Sequence, residues 1–301
     1  MHQKKNETFH SLATEYEKRY IMITELITAS FLGLLFHGIH RKVIARVQMR
    51  PGPPIWQEFL HVAKFSFKQT WIPVSASEVH YVTAVLFCIA IWSGALYVVI
   101  VGGNVLLLFG FYLLHKVLEH HMGLSAGSPY TKFGAIRSVI SATSEIPLFT
   151  TIVVIYLFTG SLHLSEIVAW QAENGILLIS AFPAAIAMYL ILLSKMPYGP
   201  FSIVESKELV SGYKTEHFGS WRATLEIGFA IKTVVLLLTF VLLFFGGHSW
   251  SILLALMFLL LLSLSFMCAF CPMLGPYDAV TIQSLMTGIL VAYIIGVWVL
   301  L

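Results

Sequence analysis

Cysteine, aspartate and carboxyl-terminal charge are all scarce in this chain of 301 residues, and each shortage removes a class of function. Of 15 acidic residues only Asp278 is aspartate, and all 18 Lys and Arg precede position 233. Asp278 is therefore the sole charged side chain from Thr233 to Leu301, which places that tail in lipid. Charged residues make up 11% of the whole, against about 25% in soluble domains, which excludes a water-soluble enzyme. The net charge of +3 is small and forms no basic face, so a nucleic-acid partner has no electrostatic footprint. Three cysteines, Cys88, Cys268 and Cys271, cannot supply the four ligands of an iron–sulfur cluster or a disulfide framework. Cys268 and Cys271 form a C-x-x-C inside an apolar run, where two small apolar-tolerant thiols are expected and no second ligand pair exists for a metal. The chain is expected to carry no metal and no cofactor of its own, so any redox chemistry belongs to other subunits.

What is abundant is apolar length. Hydrophobic residues reach 58% and mean hydropathy is +0.84. A bilayer core needs about 20 apolar residues per helix, and the sequence offers eight such stretches: 20–39, 79–101, 104–119, 134–160, 174–195, 223–246, 249–270 and 280–300. The expected fold is all-α, a polytopic membrane protein with eight transmembrane helices. Gly102-Gly103-Asn104 and Gly246-Gly247-His248 are too short for anything but tight antiparallel turns. No internal repeat appears, so residues 1–301 read as one transmembrane domain, with a polar tail at 1–19 that runs into a retained first helix. Arg41, Lys42, Arg46, Arg50, Lys64 and Lys68 fall in the first loop, 40–78, and Lys207, Lys214 and Arg222 in the loop at 196–222. Residues 161–173 have no Lys or Arg, so the basic loops are assigned to the cytoplasm and the protein to the cell membrane. Trp56, Phe59, Leu60, Ala63, Phe67 and Trp71 recur at helical spacing, with Lys64 and Lys68 on another face, which predicts one amphipathic helix lying on the membrane.

Ionisable residues within apolar runs are costly and mark function or buried pairing. Glu25, Arg137, Glu145, Glu226 and Lys232 qualify. Glu145 stands two residues before Pro147, and proline removes a backbone hydrogen bond, making room for water beside a carboxylate that could then pass protons. The competing reading is a static ion pair. Arg137 lies about 12 Å along one helix axis, too far for contact, so another helix must supply the cation, with Lys232 the expected candidate. In the 196–222 loop, Glu205 and Glu208 would share a helical face, with Glu216 nearby, and clustered carboxylates raise one another's pKa. On spacing alone an ordinary solvated loop is the better reading. Lys116, Glu119, His120 and His121 read as a polar anchor at a membrane end rather than as metal ligands.

Three blocks then carry a resemblance. Arg46-Val-Gln-Met-Arg50-Pro-Gly52-Pro53, followed by the amphipathic segment and Lys-Gln-Thr-Trp-Ile-Pro, resembles the opening of the subunit 1 family of respiratory complex I, the membrane heel that docks the peripheral arm. Ser128-Pro-Tyr-Thr-Lys-Phe-Gly134-Ala-Ile-Arg137 with Glu145-Ile-Pro147-Leu148 is similar to that family's third cytoplasmic block. Pro200-Phe201 with Glu205, then Glu208-Leu-Val-Ser-Gly212-Tyr213 and Thr215-Glu216-His217, resembles its acidic loop. Gly123-Leu-Ser-Ala-Gly127 before Ser128, together with Lys232, looks most like the members in membrane-bound [NiFe] hydrogenase, formate hydrogenlyase and sulfane sulfur reductase complexes.

The resemblance implies a non-catalytic membrane-anchor and coupling subunit of a ferredoxin-linked complex, joining electron transfer to H+ or Na+ translocation. Implied partners are hydrogenase-like large and small subunits, an iron–sulfur subunit and antiporter-like membrane subunits. [4Fe-4S] clusters, with or without a NiFe site, would sit in those partners. Arg46, Arg50 and Lys64 with the Gly52-Pro53 turn would form the docking face, and Glu145, Glu205, Glu208, Glu216 and Lys232 the proton path. His40, Ser202 and Lys207 stand where the family usually has acidic residues, which thins that path and favours a proton or sulfur compound as acceptor over a quinone. A quinone-reducing heel and a stand-alone ion transporter are the alternatives, the latter without the internal repeats such transporters show.

Overall fold

The computed structural model describes residues 2–142, 145–205, 210 and 212–300, with side chains described between 22 and 297. Its regular elements are helices: α1 (His2–Val47), α2 (Gln57–Phe67), α3 (Glu78–Ile100), α4 (Val105–Ser125), α5 (Pro129–Ala142) and α6 (Ile146–Thr159), then α7 (Leu164–Asn174), α8 (Leu177–Ser180), α9 (Phe182–Lys195), α10 (Gly219–Phe245), α11 (Trp250–Phe270) and α12 (Pro276–Leu300). Among the described residues six segments are long and apolar enough to cross a membrane: Met22–Val47, Glu78–Ile100, Pro129–Thr159, Gly219–Phe245, Trp250–Phe270 and Pro276–Val297. The expected eight are not all of that kind. The other two positions are held by α4, whose second half carries His115, Lys116, Glu119, His120 and His121, and by α9, which is only 14 residues long.

α10 is the axle of the bundle. It is almost wholly buried, and beyond Lys232 it is apolar on nearly every face, as a helix enclosed by other helices must be. It packs on α1, α3 and α2, while α4 lies between α3 and α5, and α6 contacts α9 and α12. Contact between α1 and α10 is close because Gly33 has no side chain: a Cβ there would stand 2.0 Å from the Ala230 carbonyl oxygen. At the turn between α3 and α4, the Asn104 side chain accepts from the Leu106 amide at 2.8 Å and caps α4. The same turn is tied to the start of α7 by Val105 N–H to Leu162 O at 2.8 Å and Leu164 N–H to Gly103 O at 2.9 Å.

Several boundaries differ from expectation for identifiable reasons. The first helix runs to Val47 rather than ending at 39, so Arg41, Lys42 and Arg46 ride on its last turns and the loop begins at Gln48. The stretch 174–195 breaks at Ala181, and Pro183 starts α9. Likewise Pro147 lies in the first turn of α6, where its missing N–H would be unpaired in any helix, so it starts a helix instead of loosening one. α7 was not expected. The amphipathic helix forms as α2, with Trp56 just before its start and Trp71 beyond its end.

Candidate functional site

A cavity of about 390 Å³ opens where α1, α2 and α10 meet the 197–222 loop. Its cations are Arg41, Lys214, Arg222 and Lys232 and its carboxylates Glu58, Glu205 and Glu226, with His37 and His61 on the wall. Arg41 pairs with Glu58, Lys214 with Glu205 at 2.7 Å, and Arg222 with Glu226 at 2.8 Å. Lys232 is buried and has no carboxylate within ion-pair distance among the described residues; its ammonium instead stands 4.9 Å from the Phe229 ring centre, whose ring also lies 3.9 Å from the Lys214 ammonium.

From this cavity a line of buried charge crosses the bundle. On α4, Lys116 donates to Glu119 at 3.0 Å, and His115 Nε2 lies 3.2 Å from the other Glu119 oxygen but off the line of a good hydrogen bond. His115 Nδ1 accepts from Trp92 Nε1–H at 3.3 Å, which puts the ring proton on Nε2, facing Glu119. Further in, Lys195 at the end of α9 donates to Glu145 at 2.8 Å, both almost fully buried, while the second Glu145 oxygen has no hydrogen-bond partner among the described residues. Lys116 feels Glu145 and Glu205 as well as Glu119, and Lys232 feels Glu119 and Glu205, so the groups form one electrostatically linked set. The set holds four lysines and three glutamates: Lys214 and Glu205 in the loop before α10, Lys232 on α10, Lys116 and Glu119 on α4, Glu145 at the start of α6 and Lys195 at the end of α9.

Several expected roles change. The partner of Glu145 is Lys195, not Lys232, because rotation about the helix axes points Lys232 into the cavity. Lys116 and Glu119 are core groups rather than a membrane-end anchor. Among the described residues Glu205 has no carboxylate beside it: it accepts from Lys214 at 2.7 Å and from Tyr213 Oη at 2.8 Å. Burial pushes its carboxyl up, but the Lys214 and Lys232 cations with those two hydrogen bonds outweigh burial, holding it below the usual carboxylate range. Burial and Glu205 together push the Tyr213 phenol well up, so it remains a donor. His217, lowered to about 3 by burial and Arg222, is neutral and stacks on Tyr81 at 4.5 Å. Glu208 lies outside the described residues, and Glu216 is half-buried with its backbone carbonyl accepting from Tyr81 Oη at 3.0 Å. Glu25 is half-buried on α1, and Arg137 donates to the Ile203 carbonyl at 3.3 Å. His115 and Lys195 were missed; Lys195 ends an apolar run and carried no motif.

At the cavity's rim, the end of α1 turns sharply through Met49 at φ 58° and Gly52 at φ 65°. Lys42 Nζ donates to the Pro51 carbonyl at 2.8 Å, and Gly38 lets the Ile55 carbonyl approach so closely that a Cβ would stand 1.7 Å from its oxygen. Arg46, Arg50 and Lys64 are exposed, Gly52 and Pro53 half-buried, and Met49, Trp56 and Phe67 present 94%, 62% and 91% of their surface. Apolar and cationic groups thus share one face.

Helices of this length and apolarity define a polytopic membrane protein. A family model described as NADH dehydrogenase matches residues 20–299. The chain belongs to that family, the complex I subunit 1-like membrane proteins. It is 42% identical over 267 residues to a Methanocaldococcus jannaschii protein assigned by name to the NADH-ubiquinone oxidoreductases, covering 87% of this chain and 90% of that one. Hydrogenase-4 component C of Escherichia coli is 28% identical over 245 residues, covering 75% and 76%. A chain of the membrane-bound sulfane sulfur reductase, an archaeal respiratory membrane complex, superposes with a TM-score of 0.82 at 25% identity, over 91% of this chain and 98% of its own. Its relatives are subunits of multi-subunit membrane complexes, and partner subunits are expected here.

Proposed function

We propose that this chain is the membrane-anchor and coupling subunit of a ferredoxin-linked hydrogenase or sulfur reductase in the cell membrane, transmitting redox events in a docked peripheral arm to H+ or Na+ movement. The observation that carries this reading is the group of buried charges inside the bundle: Lys232 at the cavity, the Lys116–Glu119 pair on α4 and the Glu145–Lys195 pair. Buried ion pairs contribute little net stability, so a chain that keeps several in line within lipid keeps them for charge movement. The peripheral arm would sit on Arg46, Arg50, Lys64 and the Gly52-Pro53 turn, because guanidinium groups beside exposed apolar side chains suit a protein interface better than a purely electrostatic lipid contact. The iron–sulfur clusters and any NiFe site belong to hydrogenase-like large and small subunits and an iron–sulfur subunit on that face, with antiporter-like subunits beside the chain in the membrane. A cavity wall of seven ionic side chains is a poor sleeve for an isoprenoid quinone tail, which supports a proton or sulfur compound as acceptor. The test is purification of the native complex through this chain. The reading expects hydrogenase-like and antiporter-like subunits to co-purify, with electron transfer from reduced ferredoxin that resists quinone-site inhibitors. Inhibition by such compounds, or recovery of the chain alone, would contradict it.

A further inference from the structure

Among the described residues that line the cavity the charges do not balance. Each carboxylate on its wall, Glu58, Glu205 and Glu226, is already paired one to one with Arg41, Lys214 and Arg222, and Lys232 remains over. Its neighbours offset it only in part: Lys214 shares the Phe229 ring, and Glu205 and Glu119, which act on it from a distance, are paired directly with Lys214 and Lys116. Arg222 is already engaged, its guanidinium donating to the Lys214 carbonyl and pairing with Glu226, so Lys232 is the cation left to receive a ligand. An uncompensated buried ammonium is costly, and its cost is removed when an anion with hydrogen-bond acceptors reaches it. We infer that the cavity is a binding site for one monoanionic carboxylate, received by Lys232.

The cavity volume, about 390 Å³, is far more than a lone inorganic ion fills, given about 30 Å³ per water, and admits a side chain with its backbone or a small organic acid. Two sources share this chemistry: an acidic side chain of a subunit docked at the Arg46–Arg50 rim, or a free small carboxylate. The first source rests on the coupling-subunit reading; the site itself does not.

The sign of one substitution separates the cases. In the full chain purified alone in detergent, Lys232→Met removes an uncompensated charge with little change of volume and should raise the midpoint of thermal unfolding by about 2 °C or more. Sodium acetate, compared at equal ionic strength with a bulky sulfonate buffer salt, should raise the midpoint of the unsubstituted chain and of Lys232→Arg, but not of Lys232→Met. In the assembled complex the sign should reverse if a partner carboxylate fills the site: Lys232→Met then lowers the midpoint and sheds the partner, Lys232→Arg retains it, and acetate has no effect. A complex that still responds to acetate assigns the site to a free carboxylate. The proposal is overturned by an isolated chain indifferent to acetate, by a lower midpoint for isolated Lys232→Met, which would mean the chain supplies its own counter-charge, or by a complex indifferent to both changes.

Discussion

Glu145 and Lys195 concentrate the energetics of this molecule at the scale of single residues. Each is nearly inaccessible, and each is the other's direct ion-pair partner at 2.8 Å. Removing one partner strands a charge at a cost of about 3–5 kcal/mol, whereas removing both with matched volume is often close to neutral. Glu145→Gln alone is therefore expected to reduce the amount of folded chain in membranes, and Glu145→Gln with Lys195→Met to restore it, as measured by thermal unfolding of the detergent-solubilised protein. Equal stability of the single and double variants would contradict the pairing. Glu145 itself was legible as a functional carboxylate in an apolar run, but its partner was not. Which cation meets a carboxylate depends on helix rotation and on the third dimension of packing, and Lys232 and Lys195 are equally plausible in one dimension. His115 was illegible for the same reason: its significance lies in Trp92 and Glu119 contacting its two ring nitrogens.

Among the elements, the join of α1 to α10 and the turn that follows α1 set the geometry of the cavity. Gly33→Val would drive its side chain into the Ala230 carbonyl, 2.0 Å from the Cβ position, and overpacking of that kind costs about 1–3 kcal/mol. A lower unfolding midpoint than for an equivalent substitution at Gly110, where a Cβ meets nothing within 4 Å, is the expected result; equal midpoints would refute the close approach. The rim makes a separate prediction. Reversing charge at exposed Arg46 and Arg50 together should release the peripheral subunits at ordinary salt while leaving the chain in the membrane, and survival of the complex intact would remove the docking assignment. In the 197–222 loop, Glu205 ionises more readily in the fold than in the unfolded chain. Its contribution to stability is thus present above the ordinary carboxylate pKa and is lost as pH falls through its depressed value. Limited proteolysis in this loop should accelerate below about pH 4 in the unsubstituted chain and lose that dependence in Glu205→Gln. Apolar run length and the Gly and Pro signals made most of the helices readable. The split at Ala181 and the helix at Leu164–Asn174 were not, since both arise where short segments are stabilised by neighbours rather than by their own periodicity.

For the whole molecule, the arrangement joins two surfaces that no single element connects: the exposed rim at the end of α1, and the interior pair between α6 and α9. Between them lie Lys232 on α10 and the Lys116–Glu119 pair on α4, and in the proposed coupling a partner acting at the cavity would reach Glu145 through these groups. Family membership was legible from three sequence blocks because they are contiguous motifs. The path was only half legible, since Glu205 and Lys232 lie in or beside those blocks while Lys195 and His115 lie outside them. The central claim is that this path couples electron transfer to ion movement, and the most direct measurement is the ratio of ions taken up to electrons transferred in inverted membrane vesicles driven by reduced ferredoxin. With Glu145→Gln and Lys195→Met combined, so that folding and assembly are preserved, the account predicts electron transfer near the unsubstituted rate and an ion-to-electron ratio reduced at least several-fold. An unchanged ratio in the intact complex would contradict it.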